Sequence, residues 1–418
     1  CESQFSDCVF NGNKDYSNSY YGGGAICLEA AGQPLSLIRC TFTSNTTNVY
    51  GGGVHIYTGN LTIDDCLFES NTSSVSGGAF YISTGTAVHV FNSEFRLNTC
   101  VNDGGAIYVN RVNTTIEDSL FISNEDTSTN GSNQSGAITF FGNIGLPTQY
   151  SLTLTRCEFN GNISAVSAGA VCNINASLVV DDSSFDNNCA RSSFGGAIWH
   201  RNGLMTMRRS TLSNNEAFNG AATYYPGGAI YTVAGGNMNI YNSTITGNLS
   251  SQSAIYSSAT TNIYNSTIAY NTASDADCGA GLRVQSGTAT AYSTIFSNNR
   301  ANGGAQINDV SGTLTATYCI FESSPTLSGR SSNYILGQNA LLTALADNGG
   351  LTKTHAIDTT SPAYNAGGNA QSLTTDQRGT GYPRVRGGRA DIGAYEADRQ
   401  STRLNSSHGH MSRMPSSA

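Results

Sequence analysis

Apolar positions in this chain come in short bursts separated by polar or glycine-containing turns, as in Leu61 to Ile63, Cys66 to Phe68 and Phe80 to Ile82. None is long enough for a helix, so each predicts a short β-strand. The bursts repeat. Aligned two residues before the Phe of a recurring phrase FxxN, the chain gives Cys8, Cys40, Cys66, Ser93, Ser119, Cys157, Ser183, Ser210, Ser243, Ser266, Ser293 and Cys319. The steps between them are 32, 26, 27, 26, 38, 26, 27, 33, 23, 27 and 26, and seven of the eleven are 26 or 27, which establishes a unit. Two residues after each anchor comes an apolar position: Phe10, Phe42, Phe68, Phe95, Phe121, Phe159, Phe185, Leu212, Ile245, Ile268, Ile295 and Phe321. Three further on come Asn13, Asn45, Asn71, Asn98, Asn124, Asn162, Asn188, Asn215, Asn248, Asn271 and Asn298, until Ser324 breaks the series. A phrase such as Gly104-Gly105-Ala106-Ile107 then follows.

Leucine-rich repeats share this period but need a leucine-dominated consensus, and propeller blades need about 40 residues or more. What remains is an all-β parallel β-helix of about 12 coils, three strands per coil, with a C-terminal cap region. At about 4.8 Å per coil the rod is roughly 53 Å long before that region is added. Stacking sets equal positions over one another. Phe42, Phe68, Phe95, Phe121, Phe159 and Phe185 then point inward and stack, while Asn45, Asn71, Asn98, Asn124, Asn162 and Asn188 form an amide ladder along the rod. Glycine is expected to supply the corner conformation.

Composition agrees with short strands and many turns: 47 glycines, 7 prolines and only 11% charged residues. The net charge is −8 and the only lysines are Lys14 and Lys353, so nucleic acid is not an expected partner. Eleven cysteines show no CxxC or Cys/His spacing of the zinc type, so neither a metal nor any other cofactor is expected. No apolar run approaches membrane-spanning length. The sequence opens at Cys1 without a leader pattern, so any secretory signal is expected to lie outside it or to have been removed.

The paired GGAI and FxxN phrases resemble the repeats of the polymorphic outer-membrane proteins of chlamydiae, and more widely the right-handed, single-stranded parallel β-helix of the pectin-lyase-like superfamily. That resemblance covers residues 1–324. From 325 to 397 the period is lost, and Asp347-Asn348-Gly349-Gly350, Ser361-Pro362-Ala363, Asp376-Gln377-Arg378-Gly379 and Asp391-Ile392-Gly393-Ala394-Tyr395-Glu396 resemble the choice-of-anchor Q domain of bacterial surface proteins. This resemblance implies export to the cell surface or outer membrane. Residues 398–418 match neither pattern and are read as an unstructured, artefactual tail. In the densest motif text, Arg378 is expected to pair with Asp391 or Glu396.

Enzymes on this fold commonly use clustered carboxylates, which makes Asp64-Asp65 and Asp181-Asp182 the first places to look. The column before the Cys/Ser anchor reads Asp7, Arg39, Asp65, Asn92, Asp118, Arg156, Asp182, Arg209, and Asp181 falls over Arg208. Opposite charges on neighbouring coils predict a structural ion ladder, so no catalytic residue is assigned. The residue after the Ile of GGAI gives a second column containing Tyr81, Tyr108, Trp199, Tyr231 and Tyr256. Strand alternation points it outward, as an exposed strip for stacking sugars or as a ladder that stabilises the sheet. Long turns from Lys14 to Tyr21, Glu125 to Ser135 and Glu216 to Pro226 leave one edge of the rod. Cysteines that alternate with serine read as small buried side chains, whereas Cys100, Cys189 and Cys278 sit at turns and would react if exposed. The functional expectation is an adhesin-like rod that binds glycans or a host or neighbouring cell surface without catalysis, with oligomeric state open. The alternatives are a polysaccharide lyase or glycoside hydrolase, and a passive spacer.

Overall fold

A computed structural model describes residues 3–17, 22–29, 33–127, 134–218 and 225–398. One repeat shows how the chain turns: Phe80–Thr84 and Ala87–Phe91 lie on a wide sheet, Glu94–Arg96 on a second and Thr99–Cys100 on a third. Each strand pairs in parallel with its equivalent one coil later, as in Phe80 with Ile107, Phe95 with Phe121 and Thr99 with Glu125. Among the described residues the sheets so built contain 21, 13 and 12 strands. The chain is an all-β parallel β-solenoid, in keeping with a right-handed β-helix.

The corners correct one expectation. The turn from the wide sheet to the phenylalanine sheet is made by a residue in the left-handed conformation that is not glycine: Asp7, Arg39, Asp65, Asn92, Asp118, Arg156, Asp182 and Arg209 all have φ between 45° and 56°. Asp and Asn tolerate this region better than other side chains, whereas arginine is retained there against that preference. Glycine takes the left-handed position chiefly at the third corner, as at Gly77, Gly104 and Gly195 (φ 68°, 71° and 76°). The glycine after it is needed for a different reason. A Cβ on Gly78, Gly105 or Gly196 would overlap the carbonyl oxygen of Gly105, Gly136 or Gly228 on the next coil.

Inside, neighbouring phenylalanine rings from Phe42 to Phe185 stack with centroids 4.6 to 5.0 Å apart. The asparagines form a continuous ladder. Asn124 Nδ2 donates to Asn162 Oδ1 (3.0 Å) and to the Phe95 carbonyl (2.8 Å), while Asn124 Oδ1 accepts from the backbone and side chain of Asn98 (3.1 and 3.0 Å). Near the end the register differs by one residue from the sequence alignment. Ile268 pairs with Phe296 and not Ile295, and the ladder passes from Asn271 to Asn299 and not Asn298. Asn298 instead takes the left-handed corner (φ 56°), because this coil has an extra residue before its strand.

Residues 340–398 do not cap the end of the rod. They fold back along its flank and cover the outer face of Thr211–Ser213, Thr244–Thr246, Thr267–Ala269 and Ile295–Ser297, strands in which all the residues are buried. Thr211 Oγ1 donates to the Lys353 carbonyl (2.6 Å), Thr244 Oγ1 to Gln377 Oε1 (2.6 Å), and the Ala394 amide to Thr267 Oγ1 (3.1 Å). Ile295 and Ile320 of the rod pack with Ala340, Ile357, Ala363, Ile392 and Ala397 of this flap. Its charge pairing also differs from the sequence reading. Arg378 pairs with Asp376 (2.6 Å) and reaches only the backbone carbonyl of Glu396 (2.6 Å), held between the rings of Tyr382 and Tyr395 at 4.0 and 3.9 Å. Arg384, fully buried, takes Glu396 (3.0 Å), while Asp391 accepts the amides of Asn365 and Ala397. Glu396 is pushed up to about 7, burial outweighing the Arg384 charge that acts against it; every hydrogen bond at its carboxyl oxygens is one it accepts. Residues 399–418, most of the supposed tail, lie outside the described residues.

Candidate functional site

The aromatic column is not an exposed strip. Tyr81 and Trp199 are only 6% and 7% accessible, and Tyr108, Tyr231 and Tyr256 are half-buried. Alternation does send these side chains away from the core, but residues before the glycine corner cover them. Tyr50 packs on Tyr81 (4.4 Å) and Phe194 stacks on Tyr231 (4.3 Å). Within the column Tyr81 stacks on Tyr108 (4.6 Å) and Tyr231 on Tyr256 (5.0 Å). The long turns that were to line this edge fall partly outside the described residues, at 18–21, 128–133 and 219–224.

The acidic column is paired in part: among the described residues no ion pair engages Asp64 or Asp65, Asp64 accepting only from Asn92 Nδ2 (3.2 Å), while the other aspartates hold arginines. Arg39 binds Asp7 (2.7 Å), Arg156 binds Asp118 (2.6 Å) and Arg209 binds Asp182 (2.7 Å), with Arg208 3.7 Å from Asp181. Hydrogen bonds from Arg39 and from Arg156 hold Asp7 and Asp118 below the usual carboxylate range. Among the described residues no three His, Cys, Asp or Glu side chains group as a metal site. The ten described cysteines are unbridged, and Cys100 and Cys278 are buried and not reactive turn residues, burial pushing Cys278 up to about 12.

A cleft lies one step along the strand from this column, where the wide sheet bends between its two halves. Its volume is about 340 Å³, and it is lined by Tyr108, Asn110, Arg111, Phe141, Gly142, Ile144, Ile174, Asn175, Arg201 and Asn202. Asn110, Phe141, Ile174 and Arg201 occupy one register position on four successive coils. Arg111, Asn175 and Asn202 make the bend in the left-handed conformation (φ 55°, 56° and 53°), and Asn202 Nδ2 donates to Asn175 Oδ1 at 2.8 Å. One wall is a loop after Phe141 that is tied to itself. Asn143 Nδ2 donates to Gln149 Oε1 (2.8 Å), its Oδ1 accepts the Gly145 amide (3.1 Å), and its carbonyl accepts the Leu146 amide (3.1 Å). Ile144 on this loop is 78% exposed beside the cleft.

Of the residues singled out in the sequence, only Tyr108 lines this cleft, with its ring 5.8 Å from that of Phe141. The step of 38 residues held the missing signal. Its extra length is divided between two corners, and Gly142-Asn143-Ile144-Gly145-Leu146-Pro147 is a turn-rich stretch between two strand bursts. Arg111 and Arg201 are exposed, and no ion pair among the described residues engages either. Aromatic faces, amides and guanidinium groups around an open groove can stack on and hydrogen-bond a polyhydroxylated ligand.

A family model described as "Right handed beta helix region" matches residues 24–217, a span that contains the whole cleft. No curated protein matches the chain.

Proposed function

We propose that this right-handed β-helix repeat protein is an exported bacterial surface protein that binds carbohydrate without turning it over. The observation that carries the reading is the cleft at the bend of the wide sheet, where Tyr108 and Phe141 meet five polar lining side chains, Asn110, Arg111, Asn175, Arg201 and Asn202, on a stack of coils. Rings offer apolar faces to the axial hydrogens of a sugar, and amides and guanidinium groups satisfy its hydroxyls. The described lining holds no Asp or Glu, the residues a glycosidase acid/base pair or a calcium-dependent lyase would place there. Export and surface display are supported by the likeness of the repeats to polymorphic outer-membrane proteins, and of the C-terminal phrases to the choice-of-anchor Q domain.

The test is a glycan array on the intact chain, run with a reducing-end assay on the glycans that bind. Binding without new reducing ends, lost in Phe141→Ala, is expected. Turnover of a bound polymer would replace this reading with an enzymatic one, and an array without hits would leave the rod as a spacer.

A further inference from the structure

The cleft's charge goes further than its shape. The protein has 28 Asp and Glu residues against 20 Lys and Arg, yet the ten residues lining this groove include two arginines and no carboxylate. Several arginines elsewhere on the rod are neutralised, Arg39, Arg96, Arg156 and Arg191 each holding a carboxylate at 2.6 to 2.9 Å, although among the described residues no ion pair engages the exposed Arg300 or Arg330. Arg111 and Arg201 differ from all of these in sharing one groove whose lining contains no carboxylate. They sit three coils from one another, roughly 14 Å along the rod at about 4.8 Å per coil, at opposite ends of a floor made by Phe141, Gly142, Ile174 and Asn175.

From this placement we infer that the glycan taken by the cleft is anionic: an oligosaccharide with negative groups on separate rings, one toward each arginine, and a sugar face on Phe141 between them. The inference rests on the carbohydrate reading above and specifies its ligand class. Guanidinium groups match carboxylates and sulfates with paired N–H donors, and both arginines are open to solvent before binding, so no internal ion pair has to be broken. Carboxylate and sulfate esters supply the same chemistry, and the bent floor supports an oligomer lying along the rod rather than a single ring.

The experiment is calorimetry on the intact chain with matched probes. Trigalacturonate is compared with its full methyl ester, and a sulfated galactose oligosaccharide with its desulfated form. The expected result is binding of at least one charged probe at least tenfold more tightly than its neutral partner. That advantage shrinks with added salt and falls about tenfold in Arg111→Ala and in Arg201→Ala, but not in Arg283→Ala, which lies on the same sheet outside the cleft. Which charged probe wins separates carboxylate from sulfate. Equal binding of charged and neutral forms, lost in Phe141→Ala, would overturn the anionic assignment and keep the carbohydrate reading. No binding of any probe would overturn both.

Discussion

At the residue scale, the fold depends on positions where a side chain is forbidden or a charge is excluded. Gly196 shows the first: its absent Cβ makes room for the Gly228 carbonyl and for the backbone of Glu216. Gly196→Ala is expected to cost about 1–3 kcal/mol, as overpacking does, whereas Gly329→Ala, with open space around it, should leave the denaturation midpoint nearly unchanged. His200 shows the second. It is buried, accepts a hydrogen bond from Asn173 at Nδ1 (3.0 Å), and burial pushes its pKa down to about 4 from 6.5. Because the folded state favours the neutral ring, its contribution is fully present above pH 6.5 and is lost as pH falls towards 4. The loss is of the order of 3 kcal/mol at about 1.4 kcal/mol per pKa step. Urea unfolding at pH 7 and pH 4 should show a smaller acid loss in His200→Gln than in the parent chain. The glycine phrases were legible in the sequence, but their reason was not, since a carbonyl of the next coil is visible only once the coils are stacked.

At the scale of elements, the strands are too short to be stable singly, and ladders running across them hold the coils together. Removing the Asn124 side chain leaves the Phe95 carbonyl, Asn98 Nδ2 and Asn162 Oδ1 short of partners in a buried setting. At about 1–3 kcal/mol per orphaned group, Asn124→Ala should destabilise the chain by at least about 3 kcal/mol, which chemical denaturation would measure. Phe42 to Phe185 and Asn45 to Asn188 could be placed from the sequence because a fixed period makes equal positions neighbours. The register near Ile295 could not, because one inserted residue shifts a column without changing its composition. The exposure of Tyr81 and Tyr231 was misjudged for a related reason: alternation gives a side chain's direction but says nothing of Tyr50 or Phe194 folding over it.

At the scale of the whole molecule, the rod has two differently finished flanks. Early coils surround their phenylalanines with residues such as Glu94, Arg96, Glu158 and Asp186, while later coils use Thr211, Ser213, Thr244 and Thr267, and the returning flap covers only the later ones. That switch from charged to small residues is readable in the sequence, but only with the knowledge that something lies on top. The flap is held by buried charge, so Arg384→Met, which leaves Glu396 without its partner, should cost about 3–5 kcal/mol. Hydrogen exchange should then rise at Thr244–Thr246 and not at Glu94–Arg96. The cleft lies on a different sheet, the wide one, clear of the flap. Hydrogen exchange over the intact chain, with and without saturating trigalacturonate, tests the central claim most directly. Protection confined to residues 108–111, 141–150, 174–175 and 201–202 is predicted, whereas unchanged exchange there, or protection only on the phenylalanine flank, would contradict it.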